Sequence, residues 1–321
     1  MWYPSAKQKP QRSVRGAIVF LLFLVGASAA FAEGSHEAAA AEGAPGLIKV
    51  AAAEDFYGDV AAQIAGAHAK VVSLMSDPNV DPHEYESSVN DAMAVANADL
   101  VIENGGGYDT WMDKLLSASP SSSRIVVTGF DIAPTKLPEN EHIWYNVDDM
   151  EAIGKAIRNA LSRLDPANTA DFDGNFTTFV RSLGQVRKKM AEIKARYAGT
   201  PIALTETVFL YQALPMGLSV LTPFAFQKAI AEGNDPPADS AVTAEHQITA
   251  KMVRVLIYNA QTVDKITTRL KEDARAEGIP VVAVTETMPP NLHYQTWMLD
   301  QLDRLEQALA AQGTPGGAAS P

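Results

Sequence analysis

Apolar residues along this chain gather in short continuous runs separated by stretches with helical spacing. From Leu47 onward, runs of strand length occupy 48–53, 71–75, 100–102 and 125–127. Helical patterns lie between them around 57–66, 89–96 and 110–116. A second set of runs follows at 202–204, 219–221, 253–258 and 281–284, again with helical spacers. Unbroken Val/Ile/Leu runs between helices imply parallel sheets covered on both faces.

From Pro166 to Tyr197 the pattern changes. There is no strand-like run and no internal proline, and Phe172, Phe176, Phe179, Val180, Leu183, Val186, Met190 and Ile193 recur at helical spacing. Asp165-Pro166 suits a helix start and Gly199 a helix stop, while Gly174 and Gly184 leave room for a break into two helices. About thirty helical residues at ~1.5 Å each reach roughly 45 Å, long enough to run along two lobes. The expected fold is therefore α/β, with two doubly wound parallel-sheet lobes bridged by a long backbone helix. The lobes are expected at 47–165 and 199–312, with the bridge at 166–198. A last helical pattern covers 297–309, and 313–321 reads as a tail.

The N-terminus follows a different rule. Lys7, Lys9, Arg12 and Arg15 precede an apolar stretch at 17–30, and Ala30-Phe31-Ala32 is an A-x-A cleavage signal. Residues 1–32 read as a cleavable secretory signal, and 33–46 as a flexible tail. Export is expected, with cleavage near Ala32. Cysteine is absent, which leaves no disulfide, no thiolate ligand and no lipid-modified cysteine. A free periplasmic protein, monomeric by default, is the simplest expectation. Signal removal takes away four positive charges and no negative ones, moving the net charge from −12 to −16. Such acidity argues against nucleic acid as a partner.

Four segments carry candidate chemistry. In Asp81-Pro82-His83-Glu84-Tyr85-Glu86, proline fixes its own φ and stiffens the turn that presents His83. His142 lies in Asn140-Glu141-His142-Ile143-Trp144. Glu206 and Glu286 each sit in a Thr-Glu-Thr string, where the flanking threonines are expected to orient the carboxylates. Taken singly, a loop histidine more often caps or faces solvent, and a carboxylate at a strand end more often caps a helix. Their positions are what unite them. His83 and His142 follow the second and fourth runs of the first set; Glu206 and Glu286 follow the first and fourth of the second set. Ligands of open α/β sheets bind beyond the carboxyl ends of the strands, so facing lobes would bring all four groups around one divalent metal ion.

The chain from 48 to 309 resembles the metal-binding solute-binding proteins of zinc/manganese-type ABC importers. The likeness runs through Asp81-Pro-His-Glu-Tyr-Glu86, Ala98-Asp-Leu-Val-Ile-Glu-Asn-Gly105, Asn140-Glu-His-Ile-Trp-Tyr145, Thr205-Glu-Thr-Val-Phe-Leu-Tyr211, Thr222-Pro223 and Tyr294-Gln-Thr-Trp-Met298. The resemblance implies two lobes bridged by a rigid helix and a four-ligand site at positions matching His83, His142, Glu206 and Glu286. It also implies a membrane permease as partner. The fourth family ligand is usually aspartate, so Glu286 is one methylene longer. Two imidazoles and two carboxylates accept Mn²⁺, Zn²⁺ or Fe²⁺; the carboxylates and the lack of a long His/Asp-rich loop lean slightly to manganese, with zinc close behind.

Two other functions compete: a metal-dependent hydrolase, with one glutamate as general base, and a receptor for an organic solute. No H-E-x-x-H string supports the first, and the chain is read as a non-enzyme. Gly105-Gly106-Gly107 lacks the Lys-Ser/Thr of a phosphate loop and is expected to be a tight turn beside the cleft. His68 is expected to cap a helix end, His246 to lie in a helix, and His293 to be the best spare ligand. Trp111, Trp144, Tyr211 and Trp297 are expected to pack the interface.

Overall fold

The structure, a computed structural model, describes residues 46–77 and 82–311. The expected signal segment 1–32, nearly all of the 33–46 tail and the 313–321 tail lie outside the described residues.

Eight strands form two sheets. The first holds β1 (Ile48–Glu54), β2 (Ala69–Met75), β3 (Leu100–Glu103) and β4 (Ile125–Thr128) in the order β2-β1-β3-β4. The second holds β5 (Pro201–Leu204), β6 (Ser219–Val220), β7 (Leu256–Asn259) and β8 (Val281–Val284) in the order β6-β5-β7-β8. Every pairing is parallel. The two sheets thus share one topology, and each reverses its strand order beside its first strand. Central β1 and β3 are buried almost throughout because helices cover both faces, whereas edge strand β2 is partly exposed.

The bridge is one continuous helix, Thr169–Tyr197, entered through a 3₁₀ turn at Pro166–Asn168. Gly174 and Gly184 do not break it. Each costs a helix roughly 1 kcal/mol against alanine, and burial of Phe172, Phe179, Leu183, Val186 and Ile193 on the opposite stripe outweighs that. Gly199, at φ +80°, ends it where only a residue without a Cβ sits comfortably. Helices Asp55–Ala65, Val147–Leu164 and Tyr294–Ala311 pack along it.

The 18-residue helix Val147–Leu164 is assigned to nothing by the sequence reading. Its signals are the Asn146 cap, whose side chain accepts from the amides of Asp148 and Asp149, and an apolar stripe through Met150, Ile153, Ile157 and Leu161. Gly154 lets this helix approach the bridge, since a Cβ there would meet the Phe179 ring at 3.0 Å. The expected 253–258 strand is also displaced. Val253 and Val255 are buried before the ladder begins at Leu256, and apolar pattern alone cannot separate a buried approach from a paired strand.

One continuous core joins the lobes. Phe56 stacks on Trp144 with ring centroids 4.7 Å apart and lies 6.1 Å from Trp297, both tryptophans being fully buried. Polar ties cross the same seam: the Tyr145 hydroxyl donates to the Thr285 carbonyl at 2.5 Å, and the Tyr294 hydroxyl to the Trp144 carbonyl at 2.6 Å. The expectation that Trp144 and Trp297 pack this interface fits the arrangement.

Candidate metal centre

His142, Glu206 and Glu286 converge at the seam, with one potential ligand atom from each lying within 4.8 Å of the others. All three are buried, at 0%, 1% and 0% exposure. Glu206 and Glu286 follow the ends of β5 and β8 directly, while His142 lies in the loop after β4, beyond the short helix Gly129–Ile132 and just before the 3₁₀ turn Ile143–Tyr145. The backbone of His83 lies in the short 3₁₀ turn Pro82–Glu84, and its side chain is outside the described part of the structure.

His142 is held by Asn140. The Asn140 Oδ1 accepts from both the His142 backbone N at 3.0 Å and its Nδ1 at 2.9 Å, while Asn140 Nδ2 donates to the Thr207 carbonyl at 2.9 Å. This pairing makes Nδ1 the protonated nitrogen and turns the Nε2 lone pair towards the cluster, where Glu286 Oε2 lies 3.5 Å away. Burial by itself pulls the imidazole pKa down; the Glu286 and Glu206 carboxylates push it up, and the net direction is upward.

Glu286 is gripped at both oxygens. Its Oε1 accepts from Asn259 Nδ2 at 2.6 Å and from Thr262 Oγ1 at 3.4 Å; its Oε2 accepts from the Tyr108 hydroxyl at 2.9 Å. The Gln261 carboxamide oxygen accepts from the backbone amides of Glu286 and Thr287 at 2.7 and 2.9 Å, pinning the turn itself. Tyr108 is delivered by the triple glycine, whose φ values of +71°, +67° and +102° make the tight turn expected there. Asp109 closes that turn by accepting from the amides of Asn104 and Gly105 at 2.6 and 2.7 Å.

The threonines beside the glutamates act differently from the expectation. Thr205 Oγ1 accepts from the Asn259 amide, Thr207 Oγ1 faces His142 Nδ1, Thr285 Oγ1 accepts from Trp297 Nε1, and Thr287 Oγ1 accepts from Gln261 Nε2. They brace the walls, and the donors to the Glu286 carboxylate named above come from other segments. His293 is no ligand candidate in this geometry. It is 65% exposed and pairs through Nδ1 with Asp59 at 2.7 Å, apart from the cluster. His68 bonds the Asp171 carboxylate of the bridge at 2.9 Å instead of capping a helix, because the bridge packs directly over its turn. His246 lies in the helix Ala238–Thr249.

Sequence reasoning missed Tyr108, Asn259, Gln261, Thr262 and the role of Asn140. Only Asn140 carries a local signal, two residues before His142. Asn259 ends β7, and nothing in its neighbourhood marks it.

A family model described as "ZnuA: Zinc-uptake complex component A periplasmic" matches residues 50–308. The chain belongs to this family. Among curated relatives, the manganese ABC transporter substrate-binding lipoprotein PsaA of Streptococcus mitis is 25% identical over 317 residues, covering 91% of this chain and 98% of that protein. The iron ABC transporter substrate-binding lipoprotein MtsA of Streptococcus pyogenes serotype M1 is 23% identical over 287 residues, covering 82% and 89%. Among solved structures, the periplasmic zinc binding protein TroA from Treponema pallidum superposes with a TM-score of 0.70 at 21% identity, over 83% of this chain and 100% of that one. The last likeness confirms the two-lobed α/β fold of this family member.

A second acidic group lies behind the cluster. Glu54 ends β1 fully buried, and no side chain among the described residues is seen to donate to its carboxylate. Burial, reinforced by Asp109, Asp55 and Glu103, pushes its pKa well above the usual carboxylate range. Burial likewise raises Asp55, Glu103 and Asp149 to about 7. Each group binds its proton more tightly folded than unfolded, so its contribution is complete below about pH 4 and is lost as pH rises towards 7. The metal-free protein should therefore lose stability as pH rises from about 4 to 7, by up to ~1.4 kcal/mol per pH unit for each titrating group. Urea unfolding across that range should show the slope, and Glu54→Gln should flatten it. A variant slope equal to the parent's would exclude Glu54 as a contributor.

Proposed function

We propose that the protein is a periplasmic receptor that captures one divalent transition-metal ion on His83, His142, Glu206 and Glu286 and delivers it to the membrane permease of an ABC importer. The observation that carries this reading is the burial of one imidazole and two carboxylates, drawn from segments far apart in the chain, within one ligand sphere. Burying such charge is costly unless a cation joins it. Relatives named for manganese and iron, and a structural neighbour titled zinc-binding, support a transition metal as cargo. The protein acts as a binder without turnover: four protein ligands would close the coordination sphere of a tetrahedral ion to substrate water.

The test is elemental analysis of the chelator-stripped protein after dialysis against Mn²⁺, Zn²⁺ and Fe²⁺, singly and in competition. One ion per chain is expected, and no stoichiometric metal would overturn the reading. Capture also requires a neutral imidazole. With the His142 pKa raised, retention on equilibrium dialysis should begin to fall, as pH is lowered, before an ordinary histidine would take up its proton. Undiminished retention at pH 5 would remove His142 from the ligand set.

A further inference from the structure

A carboxylate oxygen offers two lone-pair positions, and a carboxylate therefore about four. At Glu286 these are unevenly spent. Oε1 accepts twice, from Asn259 Nδ2 at 2.6 Å and Thr262 Oγ1 at 3.4 Å. Oε2 accepts from the Tyr108 hydroxyl at 2.9 Å and directs its other side to the cluster, 3.5 Å from His142 Nε2. Asn259 is itself held: its Oδ1 accepts from the Gln261 amide at 3.0 Å, and its Nδ2 also donates to Thr262 Oγ1 at 2.9 Å. All of these residues are buried, so no water competes for the bonds.

We propose that Asn259 and Thr262 are positioning residues that hold Glu286 to one-oxygen coordination through Oε2, and so bias the site towards zinc over manganese. The inference rests on the metal-receptor reading. A carboxylate whose Oε1 is occupied twice cannot chelate with both oxygens without breaking the Asn259 bond, which is charge-assisted and buried. Held to one oxygen, Glu286 supplies one position of a four-ligand sphere. That suits Zn²⁺, which accepts four ligands in a closed site, and penalises Mn²⁺, which favours six oxygen-rich positions. The donor list read from sequence counts carboxylates, not which of their oxygens other groups already hold.

The test compares zinc and manganese affinities and the visible spectrum of the Co²⁺-loaded protein. The parent is expected to give the intense bands of four-coordinate Co²⁺. Asn259→Asp keeps the acceptor for the Gln261 amide but removes the donor to Oε1; Thr262→Val removes the second donor and is the milder change. Each should weaken the Co²⁺ bands and shift the zinc-to-manganese affinity ratio towards manganese, by on the order of tenfold for Asn259→Asp, within the range by which outer hydrogen bonds tune metal sites. Tyr108→Phe leaves Oε1 held and should move both affinities together. A five- or six-coordinate Co²⁺ spectrum in the parent would overturn the proposal. So would an unchanged ratio in folded Asn259→Asp or Thr262→Val, or an equal ratio shift in Tyr108→Phe. A parent that binds none of the three metals would instead sink the receptor reading itself.

Discussion

Replacing His142 by alanine should lower zinc and manganese affinity by about two to three orders of magnitude while leaving the fold intact. The binding free energy of a four-ligand zinc site is about 10–16 kcal/mol, so one ligand accounts for roughly 3–4 kcal/mol, or two to three decades in Kd. The loss should sit at that end because no other imidazole among the described residues joins the cluster. Nε2 is aimed at the cluster by the Asn140–Nδ1 bond, and the alanine side chain has no donor atom. His293, the best spare imidazole read from sequence, faces Asp59. The substitution leaves a cavity against Trp144 and Tyr108, whose rings lie 5.1 and 5.9 Å from the imidazole, so some stability is lost as well. Competition against a chelating dye measures the affinity, and circular dichroism reports the fold. A change below threefold in a folded variant would show that His142 is not a ligand.

Glu206→Gln should have opposite effects on the two states of the protein. Glu206 and Glu286 are both buried, and two carboxylates so close to one another repel when no cation lies between them. Removing one charge should raise the stability of the metal-free protein, by about 1–2 kcal/mol, the usual size of a single-site effect. The metal should stabilise the parent by ~4 kcal/mol at a thousandfold excess over Kd, or roughly 6–8 °C in Tm for a chain of this size. In the variant most of that increment should vanish. Thermal unfolding with chelator and then with saturating Zn²⁺ gives both numbers. A variant less stable than the parent without metal, yet equally stabilised by it, would mean that Glu206 serves packing and not the ion. This crossover separates a ligand from a structural residue, which the His142 experiment alone does not.

Much of the fold is legible locally. All eight strands lie where apolar runs occur, because a strand buried on both faces needs apolar residues at every position. The long bridge is equally visible, since its buried stripe repeats with the helical period over 29 residues. What escapes is either weakly apolar or misplaced by burial outside a ladder. The helix Val147–Leu164 hides its stripe among charges, with Asp148, Asp149, Glu151, Lys155 and Arg158 interleaved along it. Val253 and Val255 are as buried as a strand without being in one.

By itself, the sequence determined the kind of molecule and named the positions proposed to carry its chemistry. Strand ends are set by local apolar pattern; Glu206 and Glu286 directly follow such ends, and His142 lies in the loop beyond a third. The tertiary structure alone decided what surrounds them. It brought Tyr108 to Glu286 across 178 residues and Asn140 to Thr207 across 67, and it put Asn259 against the Glu286 carboxylate from the neighbouring strand. It turned His293 to Asp59 and gave the flanking threonines other partners. A hydrogen bond depends on the direction of two atoms within about 3 Å, and residues distant in sequence acquire that direction only when the lobes pack.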